Sequence, residues 1–246
     1  MESRSRGGIK RLSAALLLAG SLAGCASSGG NPADPLEKVN RAVFAFNDGA
    51  DKVVFTPVAR GYRAVLPGFF RTGVSNFFSN LEDVWVSVND LLQGKFQQGL
   101  EDFTRVIFNS TFGIAGLFDF ASGAGLPKHT EDFGQTLGSW GVESGPYVVI
   151  PFIGPSTVRD GFGLLFDYKA DLVYWATDSV AVRNSLYATR AISNRANLLD
   201  ASSLLEQAAL DRYSFVRDAW LQRRRNLVYD GNPPRERDES DDEPTK

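Results

Sequence analysis

The chain has 246 residues, with 26 Lys and Arg against 29 Asp and Glu, and a single Cys. This length is sufficient for one large domain with a sizeable hydrophobic core. The formal net charge of −3 disfavours nucleic acid as a general partner, and one cysteine excludes an intrachain disulfide. We therefore expect one domain that is held together by packing rather than by covalent cross-links.

The N-terminal 24 residues have the pattern of a cleaved lipoprotein signal peptide. Four basic residues precede an apolar run over residues 12–19, and Leu22-Ala23-Gly24 leads into Cys25. The run is shorter than the roughly 20 residues that span a bilayer, which disfavours a transmembrane helix. An ordinary secretory signal with an incidental cysteine is the other alternative. The pattern favours lipidation of Cys25. Several acyl chains on this residue would anchor the protein stably to a membrane.

The residue after Cys25 bears on the destination of the anchored protein. Ala26 stands where an aspartate is the usual inner-membrane retention residue in enteric-type bacteria. We therefore predict a lipid-anchored protein on the periplasmic face of the outer membrane.

Composition divides the rest of the chain into three parts. Residues 25–33 are rich in Ser, Gly and Asn and predict a flexible tether. Residues 230–246 are rich in Pro, Asp, Glu and Arg and predict a disordered tail, whose charge favours solvation over recruitment of a partner. The folded domain is predicted over residues 34–229.

Hydrophobic periodicity predicts a mainly α-helical domain. Asp34-Pro35-Leu36-Glu37 has the N-cap, the N1 proline and the N3 glutamate of a helix start. Helices are predicted over 75–93 and 97–109, separated at Gly94, and helical spacing returns over 159–174 and 185–227. In the last of these, Leu198, Leu205 and Leu210 lie on apolar faces. Residues 145–155 predict at most one extended segment, because their prolines disfavour a central strand.

A polar stripe lies opposite the apolar face of the helix predicted over 75–93. It consists of Asn76, Asn80, Asp83, Ser87 and Asp90, which are three or four residues apart. Such a stripe is most often a solvated face, and the alternative is the lining of a conduit.

Residues 113–125 combine repeated glycines with apolar side chains, among them Gly113, Gly116, Phe118 and Gly123. This composition fits a loop that dips into a membrane, and it fits equally a buried glycine-rich helix packed closely on a neighbour. The 18 Phe of the chain have the same two destinations, the core or the membrane interface.

The sequence carries no pattern typical of an enzyme. His129 is the only histidine, and no second histidine or available cysteine joins it, so we expect a surface residue and no metal site. There is no G-x-S-x-G elbow, no Walker loop and no G-x-G-x-x-G fingerprint, and the adjacent Glu131 and Asp132 do not share a face. We expect neither catalytic residues nor a cofactor.

Several sequence blocks in order resemble the VacJ/MlaA lipoproteins, from Cys25 to about Arg225. The blocks are Asp34-Pro35-Leu36-Glu37 with Asn40-Arg41, Phe44 and Phe46-Asn47; Asn76-Phe77 with Asn80-Leu81; Arg105 with Asn109-Ser110, Gly113, Gly116 and Asp119; the run from Glu131 to Gly141; Gly145-Pro146-Tyr147; Pro155-Ser156 with Arg159-Asp160; and Ala209-Leu210-Asp211 with Tyr213 and Arg217-Asp218-Ala219.

The resemblance implies an all-α, ring-like bundle of amphipathic helices embedded in the inner leaflet of the outer membrane, with an amphipathic channel. It implies phospholipid, trimeric porins and a soluble periplasmic lipid carrier as partners, and a passive role in outer-membrane lipid asymmetry. On this basis Asn76, Asn80, Asp83 and Ser87 are candidate channel-lining residues, and Gly113, Gly116, Phe118 and Gly123 form a candidate gating loop. A porin-associated scaffold that moves no lipid and an anchored phospholipid hydrolase remain alternatives.

Overall fold

The computed structural model describes residues 31–234. The predicted signal peptide, the predicted lipid-anchor residue Cys25, most of the predicted tether and residues 235–246 of the predicted tail lie outside the described residues. The described part is mainly α-helical, as predicted, with one two-stranded sheet. Within it, no helix combines the length and the apolar character needed to cross a bilayer.

The elements follow one another along the chain with short connections. The first half contains α1 (Glu37–Ala50), a π-helical turn (Asp51–Phe55), α2 (Thr56–Val65), α3 (Gly68–Leu92), α4 (Phe96–Thr111) and the short α5 (Phe120–Gly123). The second half contains α6 (Phe133–Ser139), β1 (Tyr147–Ile150), β2 (Gly154–Thr157), α7 (Val158–Ala170), α8 (Leu172–Trp175), α9 (Val180–Asn197), α10 (Leu199–Ala208) and α11 (Arg212–Val228).

The predicted capping of the first helix by Asp34 is wrong. Helix α1 begins at Glu37 without a side-chain cap, and the Asp34 carboxylate is buried instead. It accepts hydrogen bonds from Asn40 Nδ2 at 2.8 Å and Tyr213 Oη at 2.5 Å, and Arg217 Nη1 lies 3.2 Å away. Asp34 therefore joins the two ends of the domain rather than satisfying a helix terminus.

Two asparagines on one face of α1 bind β1 and the turn that follows it. Asn40 donates to the carbonyl of Tyr147 at 3.0 Å and accepts from the amide of Val149 at 2.9 Å. Asn47 donates to the carbonyl of Ile150 at 3.0 Å and accepts from the amide of Phe152 at 2.8 Å. Asn40 thus takes the place of a neighbouring strand at the edge of β1, whereas Asn47 binds the turn that follows β1, where the Ile150 carbonyl also accepts from the Ile153 amide.

Residues 145–155 do not form the single extended segment that was predicted. Strands β1 and β2 form an antiparallel hairpin in which Tyr147 pairs with Thr157 and Ile150 pairs with Gly154. Gly154 has φ of +108°, which an L-residue rarely adopts. A two-stranded sheet has only edge strands, so Pro155 is tolerated in β2.

The helical prediction over 185–227 is broken in two places. The structure ends α9 at Asn197 and α10 at Ala208, and Leu198 and Leu210 at these breaks are exposed. The helix predicted over 75–93 begins earlier, at Gly68. The predicted C-terminal tail begins inside the described residues, where the Asp230 carboxylate pairs with Lys95 Nζ at 2.5 Å.

The hydrophobic core lies between α1, the hairpin and α11. Tyr147, Val149 and Tyr213 are buried there, and Val43, Phe44, Trp220 and Leu221 pack against them. Beside this core, Arg224 on α11 binds Asp132 and Asp160 on two other elements. Burial alone would raise the pKa of Asp132, but the Arg224 guanidinium holds it below its ordinary value. The C-terminal helix is therefore fixed by charge as well as by packing.

The distribution of polarity over the described part of the chain is unusual for a water-soluble protein. Among residues 31–234, nineteen polar or charged side chains are buried against ten hydrophobic ones. Large hydrophobic side chains are exposed on most helices, including Phe69, Phe96, Phe112 and Trp175, at 60–71% each. Exposed apolar surface on this scale marks contact with a membrane or with other proteins.

Candidate functional site

Helices α3 and α4 form a hairpin that buries polar faces and exposes apolar ones, the reverse of an ordinary amphipathic helix pair in water. On α4 the buried positions are Gly99, Asp102, Arg105 and Asn109. The positions between them are exposed, with Phe96 at 67%, Leu100 at 63%, Phe103 at 52% and Ile107 at 48%. The apolar face that periodicity identifies on α4 therefore points outward, and the polar face points inward.

The predicted polar stripe on α3 faces this interior rather than solvent. Asn80, Asp83, Ser87 and Asp90 are at most 4% exposed. Ser87 Oγ donates to the carbonyl of Gly99 at 2.8 Å, and the nearest heavy atom to a Cβ built on Gly99 is Leu91 Cδ2, at 2.9 Å. The hairpin helices thus approach closely where the glycine lies, and the prediction of a solvated face is wrong.

Each predicted lining residue has an identified partner. Asn76 Nδ2 donates to the carbonyl of Leu117 at 3.2 Å, and Asn80 Nδ2 donates to Ser110 Oγ at 3.0 Å. Asp83 binds the Lys128 ammonium, and its carboxylate lies 3.6 Å from Arg105 Nε. Burial raises the pKa of Asp83 despite these two cations. The stripe is thus hydrogen-bonded to α4 and to the loops that follow it.

Arg105 is the central cation of this interior and was not singled out as a site residue from the sequence. The residue is 1% exposed. Its guanidinium donates to the carbonyl of Leu126 at 2.7 Å, to Ser122 Oγ at 3.1 Å and to the Asp119 carboxylate at 3.1 Å. Arg105 lies at helical spacing from Gly99, Asp102 and Asn109, so these four residues share one face of the helix. This polar face is the sequence signal that identifies Arg105.

The glycine loop, residues 113–125, is a turn followed by α5 and is not a buried helix. Asn109 Oδ1 accepts a hydrogen bond from the amide of Ala121 at 2.9 Å. Asp119 caps α5, because its Oδ1 accepts a hydrogen bond from the amide of Ser122 at 3.1 Å. Burial raises the pKa of Asp119, but hydrogen bonds from Ser122 Oγ, the Ser122 amide and Asn109 Nδ2 outweigh it and hold the pKa at about 2. The loop is therefore fixed at its base by α4.

The tip of the glycine loop is apolar and exposed. Ile114 is 64% exposed and Phe118 56%, and Phe112 and Phe120 flank them at 60% and 52%. Ile114 and Ala115 have φ of 51° and 56°, a left-handed conformation that costs about 1 kcal/mol or more per non-glycine residue. The loop thus holds apolar side chains outward at a conformational cost.

The three candidate gating glycines have different environments. A Cβ on Gly113 would lie 2.1 Å from the carbonyl oxygen of Phe118, and one on Gly116, whose φ is +88°, would lie 2.7 Å from Asn80 Cβ. Among the described residues, none approaches a Cβ on Gly123 within 4 Å apart from its chain neighbours. Gly113 and Gly116 are therefore required by the close approach of neighbouring atoms, whereas Gly123 is not.

His129 is not the surface residue that the sequence predicts. Its side chain is 21% exposed, its Nδ1 lies 2.8 Å from Asp102 Oδ2, and its Nε2 lies 3.9 Å from Glu101 Oε2. Both ring nitrogens thus face carboxylates. Of the adjacent acids that follow, Glu131 is bound by Gln93 and Lys95, whereas Asp132 binds Arg224.

The fold and this site define a class of protein: a mainly helical domain with a polar, ion-paired interior and a largely apolar exterior. A family model described as MlaA lipoprotein matches residues 32–227. The chain belongs to the MlaA lipoprotein family. This assignment also accounts for the order of the sequence blocks from Asp34 to Arg217.

Curated relatives extend over most of the chain. The "Intermembrane phospholipid transport system lipoprotein MlaA" of Escherichia coli (strain K12) is 42% identical over 221 residues, which cover 87% of this chain and 86% of the relative. The protein of the same name from Haemophilus influenzae is 31% identical over 230 residues, covering 90% and 92%. A protein of Rickettsia bellii described as uncharacterized is 35% identical over 197 residues, covering 79% and 76%.

A solved structure described as "Structural basis for maintenance of bacterial outer membrane lipid asymmetry" has the same fold. It superposes with a TM-score of 0.70 at 36% identity and covers 79% of this chain and 98% of the other.

Proposed function

We propose that this protein is an outer-membrane lipoprotein that removes mislocalised phospholipid from the outer leaflet and passes it through an amphipathic channel to a soluble periplasmic carrier. The observation that carries the proposal is the inverted α3–α4 hairpin, in which Asp83 and Arg105 are buried while Leu100 and Phe103 are exposed. A domain of this kind places apolar side chains against acyl chains and keeps polar groups for a headgroup. The result is maintenance of lipid asymmetry in the outer membrane.

The protein lies in one leaflet as a ring-like helical body, anchored at Cys25 on the periplasmic face. Support comes from helices that are amphipathic rather than apolar throughout, such as α4. An amphipathic helix with bulky apolar residues on one face lies in the interface plane. The acyl chains on Cys25 add roughly 0.8 kcal/mol per buried methylene and keep the domain at this surface.

The channel is lined by Asn76, Asn80, Asp83 and Ser87. The proposal is supported by the buried Asn80 side chain, whose Oδ1 receives no hydrogen bond from the described residues, and by the cations Arg105 and Lys128 beside Asp83. A zwitterionic headgroup has one phosphate and one ammonium, so it needs both an anionic and a cationic partner. Asp83 supplies the first kind of group and Lys128 the second.

The glycine loop gates this channel, with Gly113, Gly116 and Phe118 in the moving segment and Gly123 at the end of α5, outside it. Support comes from the contact of Gly116 with Asn80 and from the exposed Phe118 ring. The loop rests on a lining residue and carries an apolar tip. Movement of the tip in the membrane therefore changes the access of phospholipid to the channel lining.

The exposed apolar surface also supports trimeric porins as lateral partners, because such surface buries against protein as well as lipid. Transport is passive: the protein is a conduit and not an enzyme, and phospholipid moves along its own gradient. The soluble carrier removes the lipid on the periplasmic side.

The test is the amount of phospholipid in the outer leaflet of cells that lack the protein. We expect an increase on deletion, reversed by the wild type but not by Cys25→Ala. Ser28→Ala is the matched control, because it changes the same segment without removing the acyl acceptor. No increase on deletion would overturn the transport proposal.

A second measurement separates transport from porin scaffolding. The wild type and the Asp83→Asn variant are purified with their porin partner, and bound phospholipid is quantified. We expect stoichiometric lipid with the wild type, less with Asp83→Asn and no change with Asp200→Asn, an exposed aspartate. A lipid-free complex of normal composition would instead establish a scaffold.

A further inference from the structure

The loop end of the α3–α4 hairpin contains a second cluster of polar groups, distinct from the proposed channel lining. Asp90 lies near the end of α3, Asp102 lies on α4, and His129 lies in the segment that follows the glycine loop. One ligand atom from each of these three residues falls within 4.8 Å of the other two. Three separate segments therefore converge on one point.

Both carboxylates in this cluster are withdrawn from solvent. Asp90 and Asp102 are each 0% exposed. Asp102 has partial compensation, since the amide of His129 donates to its Oδ1 at 3.4 Å and the His129 ring approaches its Oδ2 at 2.8 Å. Two buried carboxylates side by side are strongly unfavourable unless a proton or a cation lies between them.

Asp90 is the residue whose burial the protein itself leaves uncompensated. No hydrogen-bond donor among residues 31–234 reaches either of its carboxylate oxygens. Its charged neighbours include the carboxylates of Asp102 and Glu131 and the ammonium of Lys95, which is itself bound to Glu131 and Asp230. The fully buried Asp90 side chain thus faces the Asp102 carboxylate within hydrogen-bond reach, and either a shared proton or a bound cation must lie between the two groups.

We propose that Asp90, Asp102 and His129 bind a first-row divalent cation such as Zn²⁺. One imidazole nitrogen and two carboxylates form a mixed donor set that suits Zn²⁺, Mn²⁺ or Fe²⁺ better than Mg²⁺ or Ca²⁺, which prefer oxygen ligands alone. The cation neutralises the paired carboxylates and uses the free oxygens of Asp90.

The three ligand atoms are close enough to share one cation. Zinc ligands lie about 2.0–2.2 Å from the metal, so in a tetrahedral site they are about 3.4 Å apart. All three ligand atoms lie within 4.8 Å of one another, and His129 Nδ1 is 2.8 Å from Asp102 Oδ2. Binding therefore requires His129 and Asp102 to move apart by about 0.6 Å.

Of the three residues, His129 alone reaches solvent, since Asp90 and Asp102 are fully buried. His129 borders an open groove of about 670 Å³ that is lined by Gly94, Lys95, Gln97 and Glu101, among others. A cation enters from this groove, and solvent occupies the remaining coordination position. The Nδ1 atom of His129 faces the site, 2.8 Å from Asp102 Oδ2, and Glu101 lies on the other side of the ring, 3.9 Å from Nε2.

The site has a structural role in the fold. It ties the end of α3 to α4 and to the segment after the glycine loop, and so fixes the loop end of the hairpin. A bound cation that contacts the folded state alone stabilises it by mass action.

The test uses the tag-free full chain in detergent, stripped with a chelator and dialysed against Zn²⁺. We expect one Zn²⁺ per chain by elemental analysis, with an X-ray absorption spectrum of one imidazole and oxygen ligands. Asp90→Asn and His129→Gln should each weaken binding at least tenfold, whereas Asp200→Asn should leave it unchanged.

Asp90→Asn is the decisive variant, because it neutralises a carboxylate that has no donor and so preserves the metal-free fold. In thermal melts the wild type should gain stability on addition of Zn²⁺ and Asp90→Asn should not. If circular dichroism shows that Asp90→Asn is unfolded, His129→Gln replaces it in the same melts. Failure of the wild type to retain Zn²⁺, or equal retention by the variants, would overturn the proposal.

Discussion

A Cβ atom on Gly116 would lie 2.7 Å from the Cβ of Asn80, so the glycine loop rests directly on the polar face of α3. The contact joins the two segments that the sequence identifies as candidate lining and candidate gate. A change in one of them is therefore transmitted to the other through van der Waals contact.

Gly116→Ala should displace the loop. The substitution places a side chain at φ of +88° and against a Cβ that cannot rotate away. We expect a cost of about 2–4 kcal/mol, from the left-handed conformation and from overpacking together. Hydrogen exchange should show faster exchange of residues 112–119, and outer-leaflet phospholipid should differ from the wild type in cells.

Gly123→Ala is the matched control for this experiment. It lies in the same loop with an ordinary φ and open space around its Cβ. An alanine there should be neutral or stabilising by about 0.4–1 kcal/mol, because it lowers the entropy of the unfolded chain. If Gly116→Ala behaved like Gly123→Ala in both assays, the gating role of the loop would be abandoned.

Asp119 should make the base of the loop sensitive to acid. Its pKa in the folded protein is about 2, below the ordinary value of 3.8, so the unfolded chain binds more protons between these values. The stability that Asp119 contributes is thus present above about pH 4 and is lost as the pH falls towards 2. Denaturant unfolding should show that the free energies of unfolding of the wild type and Asp119→Asn differ more at pH 5 than at pH 2.5.

The comparison of two variants isolates Asp119 from the other acids, which titrate in both proteins. Glu143→Gln at the two pH values shows the effect of removing an exposed carboxylate. If the free energies of unfolding of the wild type and Asp119→Asn differ by the same amount at pH 5 and pH 2.5, the lowered pKa of Asp119 is contradicted.

Asn40 should be among the most sensitive positions for stability. It is 3% exposed, donates to Asp34 and Tyr147 and accepts from Val149. Asn40→Ala removes three hydrogen bonds and leaves buried groups unsatisfied, which predicts a loss of about 3 kcal/mol. Denaturant unfolding in detergent measures this loss.

Asn47→Ala provides the graded comparison for Asn40→Ala. Asn47 makes two equivalent bonds to the hairpin but is half-buried, so water replaces part of what is lost. We expect about 1–2 kcal/mol. Equal losses for the two variants would show that burial does not determine the cost at this edge.

Local pattern predicted the helical class, and it correctly identified which residues share a face. It did not predict which face points inward, because 3.6-residue periodicity is identical for a helix that buries its apolar face and for one that exposes it. The α4 helix exposes Leu100 and Phe103, and only the tertiary structure reveals this orientation.

Long-range partners account for the other differences. Asp34 fits an N-cap in sequence, yet its carboxylate binds Tyr213 and Arg217 at the opposite end of the domain. Likewise, a search for histidine and cysteine ligands around His129 omits Asp90 and Asp102, which the α3–α4 turn brings to it. Such contacts depend on how elements pack and have no local signal.

The outward apolar face of α4 yields the last prediction. If it contacts lipid, replacing Leu100 and Phe103 by serine should weaken partition into phospholipid vesicles by about 2 kcal/mol, or roughly 30-fold, because two large side chains no longer bury. The measurement uses the Cys25→Ala background, so that acyl chains do not mask the helix. Gln97→Ser, an exposed polar change on the same helix, should have no effect.

The fold of the double variant should be unchanged, because both side chains already point away from the interior, and circular dichroism checks this. A double variant that is folded and still partitions like its parent would show that this face is covered by protein rather than lipid. The same two substitutions should then weaken co-purification with the porin partner, so the pair of assays identifies the environment of α4.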